Sequence, residues 1–254
     1  MMNPIELSLV IPIYRQEKTI LHNLQVIIST LEKTRFSFEI IAVCDGFVDK
    51  SYQILHDAHL NHVQLIGYEK NHGKSYAIRK GIEKTRGEFV MFLDSGMEID
   101  TSGISMLMEH MVWYEADIIV GSKRHPASKV NYTTIRKILS YGYYWFVRVL
   151  FGISVHDTQA GIKLFRRKVI ETILPKLVEK KFCGDLEMLV VAKACGYGRI
   201  YEAPIKLNYQ FASVTSAKSL KSIRGMFIDT LAIWYRRYIK MHYSTKNETP
   251  LAPV

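Results

Sequence analysis

The chain has no run of about 18 apolar residues, the length a helix needs to cross a bilayer, so no ordinary membrane-spanning helix is expected among its 254 residues. Cysteine is scarce: Cys44, Cys183 and Cys195 lie far apart and are odd in number. They have neither zinc-ligand spacing nor the pattern of a disulfide framework, and free thiols fit a reducing compartment. The apolar stretch Leu7–Ile13 is too short for a signal peptide and leads straight into a helical pattern. Acid is the scarcer charge, 24 residues against 34 basic ones, which leaves a net charge of +10. That balance suits an anionic partner such as nucleotide phosphates or anionic lipid. Nucleic acid is not expected, because neither a stacking platform nor a recognition helix is visible. The histidines form no zinc-enzyme pattern: His59 and His62 fall in an expected loop, and nothing assigns a role to His72 or His156. No internal repeat or low-complexity segment appears.

What is present is an alternation of two periods. LSLVIPI (Leu7–Ile13), FEIIAVC (Phe38–Cys44), VQLIGY (Val63–Tyr68), EFVMFLD (Glu88–Asp94) and ADIIVGS (Ala116–Ser122) read as strands. Between them, Lys18–Lys33, Ser51–Ala58, Ser75–Thr85 and Thr101–Trp113 read as helices; the first carries Ile20, Leu24, Ile27, Ile28 and Leu31 at helical spacing. Near-continuous apolar strands separated by helices predict an α/β fold with a mostly parallel sheet covered on both faces. Beyond residue 122 come a basic loop (Lys123–Asn131), an aromatic-rich segment (Ile135–Gly152), a globular stretch (157–210), a basic amphipathic helix (Leu220–Lys240) and a loose tail (Thr245–Val254).

The most informative feature is the strand that ends in one carboxylate, Asp94, followed by Ser95, Gly96, Met97 and Glu98. A carboxylate at the edge of a buried strand is costly unless paired or bound to a cation, and the carboxyl edge of an open α/β sheet is where ligands bind. The pattern points to a Mg2+ or Mn2+ site for a nucleoside diphosphate. Other strand ends face the same crevice. Pro12–Tyr14 follows the first strand and Asp45-Gly46 the second. Tyr14 can stack on a base and Asp45 can accept hydrogen bonds from base or ribose; alternatively Tyr14 is a half-buried ring and Asp45 caps a helix. The stretch from Gly67 to Lys74 differs from a phosphate-binding P-loop, with five residues between its glycines instead of four. A lysine at a helix start can still meet a diphosphate, since the positive helix end favours anions.

VIPIYRQEKTI, AVCDGFVDKS, NHGKSYAIRKG and FLDSG together resemble, in order and spacing, the signatures of family 2 glycosyltransferases, inverting enzymes of GT-A fold that use nucleotide sugars. IRKILSYGYYWFVRVLFG, VHDTQAGIKLFRR and EMLVVAKACGYGRIYEAPI resemble the dolichol-phosphate mannosyltransferase branch, which includes polyprenyl-phosphate hexosyltransferases. The likeness covers roughly residues 7–210. It implies that Pro12, Tyr14, Glu17, Asp45 and Lys74 occupy nucleotide-site positions with Asp94 and Ser95, and that Asp94 is the first acid of an Asp-x-Asp metal motif. Lys123, Arg124 and Arg136 fall where relatives contact phosphate. Asp157, Gln159, Gly161 and Arg166 match a region beside the sugar. There are departures. Arg15-Gln16 stands for Asn-Glu, Cys44-Asp45-Gly46-Phe47 for Asp-Asp-Gly-Ser, and Gly96 for the second metal acid, leaving Glu98 as the substitute ligand. A late arginine is missing near residues 210–218, where Gln210 and Lys218 are the nearest polar candidates.

The resemblance implies hexose transfer, mannose or glucose, from a GDP- or UDP-sugar to a polyprenyl or dolichyl phosphate. A lipid phosphate is already an anion and can attack the anomeric carbon without a strong base. A divalent ion would neutralise the leaving diphosphate, and Lys123, Arg124, Arg136 and Arg166 could hold the acceptor. Two alternatives stand: a hydroxyl acceptor, with Asp157 or Asp185 as base, and a degenerate nucleotide- or lipid-binding homologue. Asp185 also reads as a surface or capping acid at a helix start. The expected organisation is a nucleotide-sugar half (1–122), an acceptor half (123–210) with an interfacial helix at 135–152, a basic helical extension (211–243) and a flexible tail (244–254). Aromatics among cations in 135–152, and the stripe Leu220, Ile223, Phe227, Leu231, Trp234 and Tyr238, suit peripheral binding to an anionic membrane at its cytoplasmic face. Core packing, an oligomer interface or a membrane-anchored partner would use the same residues.

Overall fold

The computed structural model describes residues 4–128, 134–180, 183–208 and 220–243, with backbone alone for 134–138 and 220–223. The expected strands form as β1 (Leu7–Ile13), β2 (Phe38–Asp45), β3 (Val63–Tyr68), β4 (Phe89–Leu93) and β5 (Ile118–Ser122). Helices α1 (Ile20–Leu31), α2 (Ser51–Ala58), α3 (Lys74–Ile82) and α4 (Gly103–Trp113) alternate with them. Then come α5 (Thr134–Phe151), β6 (Ile162–Arg166), α6 (Arg167–Ile173), α7 (Gly184–Ala194), β7 (Ile200–Pro204) and α8 (Leu220–Tyr238). The seven strands make one sheet in the order β3-β2-β1-β4-β6-β5-β7. β6 runs antiparallel between β4 and β5, and the other pairings are parallel. The architecture is the expected α/β one, a mostly parallel sheet flanked by helices.

Alternation within the strands builds two cores, one on each sheet face. Leu7, Leu9, Ile11 and Ile13 of β1, with Phe89, Met91 and Leu93 of β4, pack on the α1 and α4 side. Val10, Val90 and Phe92 pack on the opposite side with residues of α3, α5 and α7. Both faces being buried explains why these strands read as continuous apolar runs instead of alternating ones.

Residues from the second half complete this same sheet. α8 also packs on the shared core: Thr230 and Ile233 are buried, the Tyr143 and Thr230 hydroxyls are 3.0 Å apart, and the Tyr143 and Phe227 rings meet edge to face. The expected apolar stripe of α8 is therefore divided. Phe227, Trp234 and Tyr238 are partly buried against the core, while Leu231 faces outward with Ile228, Tyr235 and Ile239. α5 divides in the same way: Tyr143, Tyr144 and Phe151 are buried, and Leu139, Tyr141, Trp145 and Val149 are exposed. Gln210, Lys218 and the tail at 244–254 lie outside the described residues, as do the side chains of Arg136, Leu220, Lys221 and Ile223.

Candidate active site

The parallel strands β1, β2 and β4 end at one edge, and the loops beyond them are laced together. Gln16 N donates to Ser51 Oγ at 3.1 Å and Glu17 N to Asp49 Oδ2 at 3.1 Å. Lys50 N returns a bond to Glu17 Oε2 at 3.0 Å, so Glu17 fastens the second loop to the first. Pro12 is buried inside β1, in register with Val43. Tyr14 is exposed at the strand end beneath the Arg15 guanidinium, 5.2 Å from its ring centroid. Phe47, two residues beyond β2, is exposed as well and packs its ring on Tyr52 of α2 at 4.7 Å.

Asp45 is buried, and its carboxylate accepts four hydrogen bonds: Tyr68 Oη at 2.9 Å and His72 N at 2.8 Å on Oδ1, Asn71 Nδ2 at 2.7 Å and Gly73 N at 2.9 Å on Oδ2. Those bonds hold the turn that launches α3, the helix-capping alternative for Asp45. The start of α3 is likewise occupied. Ser75 N and Tyr76 N both donate to the Lys180 carbonyl, at 3.1 and 3.2 Å. The expectation of an open helix end for phosphate is thereby corrected: these amides are satisfied by the chain itself. The Lys74 side chain is what the turn delivers to the crevice.

Lys74 joins a chain of alternating charges. Its ammonium lies 2.7 Å from Asp94 Oδ1 and 3.2 Å from Asp185 Oδ2. Asp185 Oδ1 lies 3.4 Å from the ammonium of Lys163, without hydrogen-bond geometry, so that contact is Coulombic. Lys163 donates its hydrogen bond to the Ala160 carbonyl at 2.7 Å. Exposure grades along the chain: the Lys163 side chain is 0% exposed, Asp185 5%, Lys74 21% and Asp94 46%. Burial alone would raise the carboxyl pKa of Asp185, but the ammoniums of Lys163 and Lys74 outweigh it and hold the group below the usual carboxylate range. Burial lowers the Lys163 ammonium, with Asp185 opposing that shift. Lys74 moves upward, because Asp185 and Asp94 overcome its desolvation. Burying isolated charges is prohibitive; two lysines and two aspartates in sequence neutralise one another.

Two glycines permit this geometry. A Cβ at Gly161 would sit 2.2 Å from Asp94 Oδ2, and one at Gly184 2.2 Å from Ser75 Oγ. Asp94 N also donates to Gly161 O at 2.9 Å. Ser95 is buried, and its carbonyl accepts Asn23 Nδ2 at 2.8 Å, which ties the loop to α1. At Gly96 the space where a side chain would start is 4.0 Å from Gln16 Nε2. Among the described residues no three His, Cys, Asp or Glu side chains gather as a metal cage. Asp94 is half-exposed and can give one ligand, which fits a Mg2+ or Mn2+ completed by substrate phosphates, a usual arrangement for Mg2+. Glu98 lies on the same loop, with its carbonyl bonded by Asn208 N at 2.9 Å.

On the acceptor side, Asp157 Oδ2 accepts Lys123 N at 3.0 Å, which joins the loop before β6 to the end of β5. Glu202 of β7 accepts the backbone amides of His156 and Asp157 at 3.0 and 3.2 Å and lies 2.6 Å from His156 Nδ1. The His156 ring stacks on Tyr144 of α5 at 4.7 Å. The Arg124 guanidinium lies over the Tyr141 ring, and its buried Nη1 has no hydrogen-bond partner. Gln159 Nε2 reaches Tyr143 Oη at 3.3 Å.

Arg166 is a correction. It pairs in register with Phe89, at the start of β4, whereas Ile162 pairs with Leu93 at its end. Because β6 is antiparallel, Arg166 emerges at the sheet edge opposite Asp94. There its Nε donates to the Ala116 carbonyl at 2.6 Å, and it holds no substrate in the crevice. Conversely, Lys163, Glu202 and Asn23 were not anticipated. A lysine within the apolar strand IKLFR was the available signal, since a fully buried lysine must be paired. Glu202 gave none, its partners being distant in sequence.

The half-exposed aspartate and the paired lysine stand at the carboxyl edge of a mostly parallel sheet, in a fold of the GT-A class. The chain belongs to the family described as Glycosyl transferase family 2, whose pattern matches residues 8–174. It is 31% identical over 252 residues to a dolichyl-phosphate beta-glucosyltransferase of Saccharomyces cerevisiae, covering 87% of this chain and 75% of that protein. It is 29% identical over 214 residues to dolichyl-phosphate beta-glucosyltransferase ALG5C of Trichomonas vaginalis, covering 79% of this chain but only 63% of that relative's length. Among solved structures, mannosyl-3-phosphoglycerate synthase from Rubrobacter xylanophilus superposes with a TM-score of 0.70 at 14% identity, over 98% of this chain and 79% of that one. Glucosyl-3-phosphoglycerate synthase from Mycobacterium tuberculosis, in complex with Mn2+, UDP-glucose and phosphoglyceric acid, does so at 0.65 and 13%, over 97% of this chain and 82% of that one. These structural likenesses establish the fold.

Proposed function

We propose that the protein transfers glucose from UDP-glucose to a polyprenyl or dolichyl phosphate, with inversion. The observation that carries this reading is the Lys74–Asp94 pair at the end of β4, at the same sheet edge as the Lys123–Arg124 loop that follows β5. It provides a donor-diphosphate position beside an anion-binding one. The names of the sequence relatives favour glucose and dolichyl phosphate over mannose from GDP-mannose. In the reaction a phosphate oxygen of the lipid attacks the anomeric carbon from the face opposite the leaving group. The new carbon–oxygen bond forms, the bond to the β-phosphate breaks, and UDP departs with the electron pair. A phosphate acceptor brings no proton that must be removed. That agrees with Asp185, which is buried between two ammoniums and closed to an incoming hydroxyl.

Asp94 would hold Mg2+ or Mn2+ with the donor's diphosphate, and the ion would offset charge on the leaving UDP. Tyr14 and Phe47 flank the base, and Lys74 meets the diphosphate. Lys123, Arg124 and Arg136 receive the lipid phosphate, with Asp157 holding their loop against β6. The outward residues Trp145 and Val149 of α5 and Ile228, Leu231 and Tyr235 of α8, with Ile239 just beyond it, are exposed, and Arg148 and Lys240 lie over Trp145 and Tyr235. Such amphipathic faces dock on an anionic bilayer. No helix among the described residues is long and apolar enough to span one, and the cytoplasmic face is the proposed site of action.

The test is incubation of purified protein with UDP-glucose, a polyprenyl phosphate and Mg2+ or Mn2+. Glucosyl lipid is the expected product. GDP-mannose giving mannosyl lipid instead would move the donor assignment, and absence of any lipid-linked sugar would overturn the reading.

A further inference from the structure

The Lys74 ammonium sits where a cation on Asp94 would sit, and it is not there by the chance of a flexible side chain. The Asp45 carboxylate fixes the turn before it through four hydrogen bonds. Asp185 holds the same ammonium from behind at 3.2 Å, and Lys163 braces Asp185 in turn at 3.4 Å. The Asp94 backbone is held by its amide bond to Gly161 O, and the absence of a Cβ at Gly161 leaves the carboxylate room beside Lys74. A divalent ion approaching Asp94 alone therefore meets a carboxylate already neutralised at 2.7 Å, with Gly96 in place of a second acid to help it.

We propose that Lys74 is a resident cation of the donor site. It competes with a divalent ion for Asp94 in the free protein and binds the donor's diphosphate without metal, so that the ion enters with or after the nucleotide. The inference rests on the proposed nucleotide-sugar donor for its second half, and on the charge chain alone for its first. A divalent ion and an ammonium brought to one carboxylate repel each other strongly in the reduced dielectric of a protein surface. The ion and the ammonium therefore cannot both sit on Asp94 unless a diphosphate arrives between them. Asp185 then retains the ammonium as it turns to the phosphates.

The experiment has two arms, each on wild type, Lys74→Met, Lys74→Gln and the surface control Lys80→Met. The first measures Mn2+ binding to nucleotide-free protein by electron paramagnetic resonance. Wild type should bind weakly, and removal of the ammonium should tighten Mn2+ by about tenfold or more. The second measures UDP binding by calorimetry, in EDTA and in Mn2+. Wild type should bind UDP in EDTA, and both Lys74 variants should lose that binding by about tenfold or more while keeping binding in Mn2+. The Gln variant serves if the Met variant fails to fold, and Lys80→Met should match wild type throughout. Unchanged or weaker Mn2+ affinity in both Lys74 variants overturns the competition. Wild type that binds UDP in Mn2+ but not in EDTA overturns the metal-free role. Failure of UDP in every condition would instead strike the donor assignment, with the first arm still deciding the competition.

Discussion

Asp94 depends on what its neighbours lack. Gly161 leaves it room, so Gly161→Ala should displace the carboxylate while the sheet survives. A displacement of about 1 Å at a reacting centre can cost about a hundredfold in rate; kcat should fall on that order with the far-ultraviolet circular dichroism unchanged. Asp94→Ala should abolish transfer, whereas Glu98→Ala should mainly raise the metal concentration needed, as a titration with Mn2+ would show. Lys163 is fully buried against Asp185, and removing one partner of a buried pair costs about 3–5 kcal/mol. Lys163→Met should show a loss of that size in urea denaturation. These residues differ in how readable they were. Asp94 and Lys74 announce themselves by ending a strand and opening a helix. Asp45 is legible as a strand-end carboxylate with two possible tasks, and nothing local shows that its oxygens accept from the turn at residues 71–73.

At the scale of elements, the amino edge of the sheet carries a second carboxylate knot. Glu39 of β2 accepts Ser8 Oγ of β1 at 2.7 Å, and Arg86 N, Nε and Nη2 before β4 at 2.7, 3.0 and 2.8 Å. Burial opposes its ionisation, but the bonds from Ser8 and Arg86 prevail and its pKa is lowered. A depressed carboxylate pKa contributes stability that is full above the unfolded-state value and disappears as pH falls through the folded-state value. Thermal melts between pH 6 and pH 3, on the order of that carboxylate window, should fall less steeply for Glu39→Gln than for wild type. The helices α5 and α8 make the other prediction at this scale. Trp145 and Val149 are 57% and 79% exposed, so Trp145→Glu with Val149→Glu should reduce flotation with anionic vesicles without lowering the melting temperature. Which side of each helix meets the core is not legible in the sequence, because both carry aromatics on two sides and periodicity alone does not choose between them.

Across the whole molecule, β1 to β5 were legible because burial on both faces makes each a continuous apolar run. β6 and β7 were not. IKLFR is interrupted by a lysine whose charge is answered only in three dimensions, and Ile200–Pro204 is an edge strand with Tyr201 exposed. The direction of β6 could not be read either, and that direction carries Arg166 away from the crevice. The parts that remain converge on one edge: Asp94 and Lys74 from the first half, Asp185 and Lys163 from the second. One electrostatic chain thus ties residues on either side of position 123 together beneath the proposed reaction centre.

The most direct measurement is transfer of labelled glucose from UDP-glucose into organic-extractable polyprenyl phosphate, by wild type and Asp94→Ala in parallel with Mn2+ present. Glucosyl lipid formed by the wild type and absent with Asp94→Ala is the expected result. Full activity in Asp94→Ala, or no glucosyl lipid from the wild type, would contradict the account.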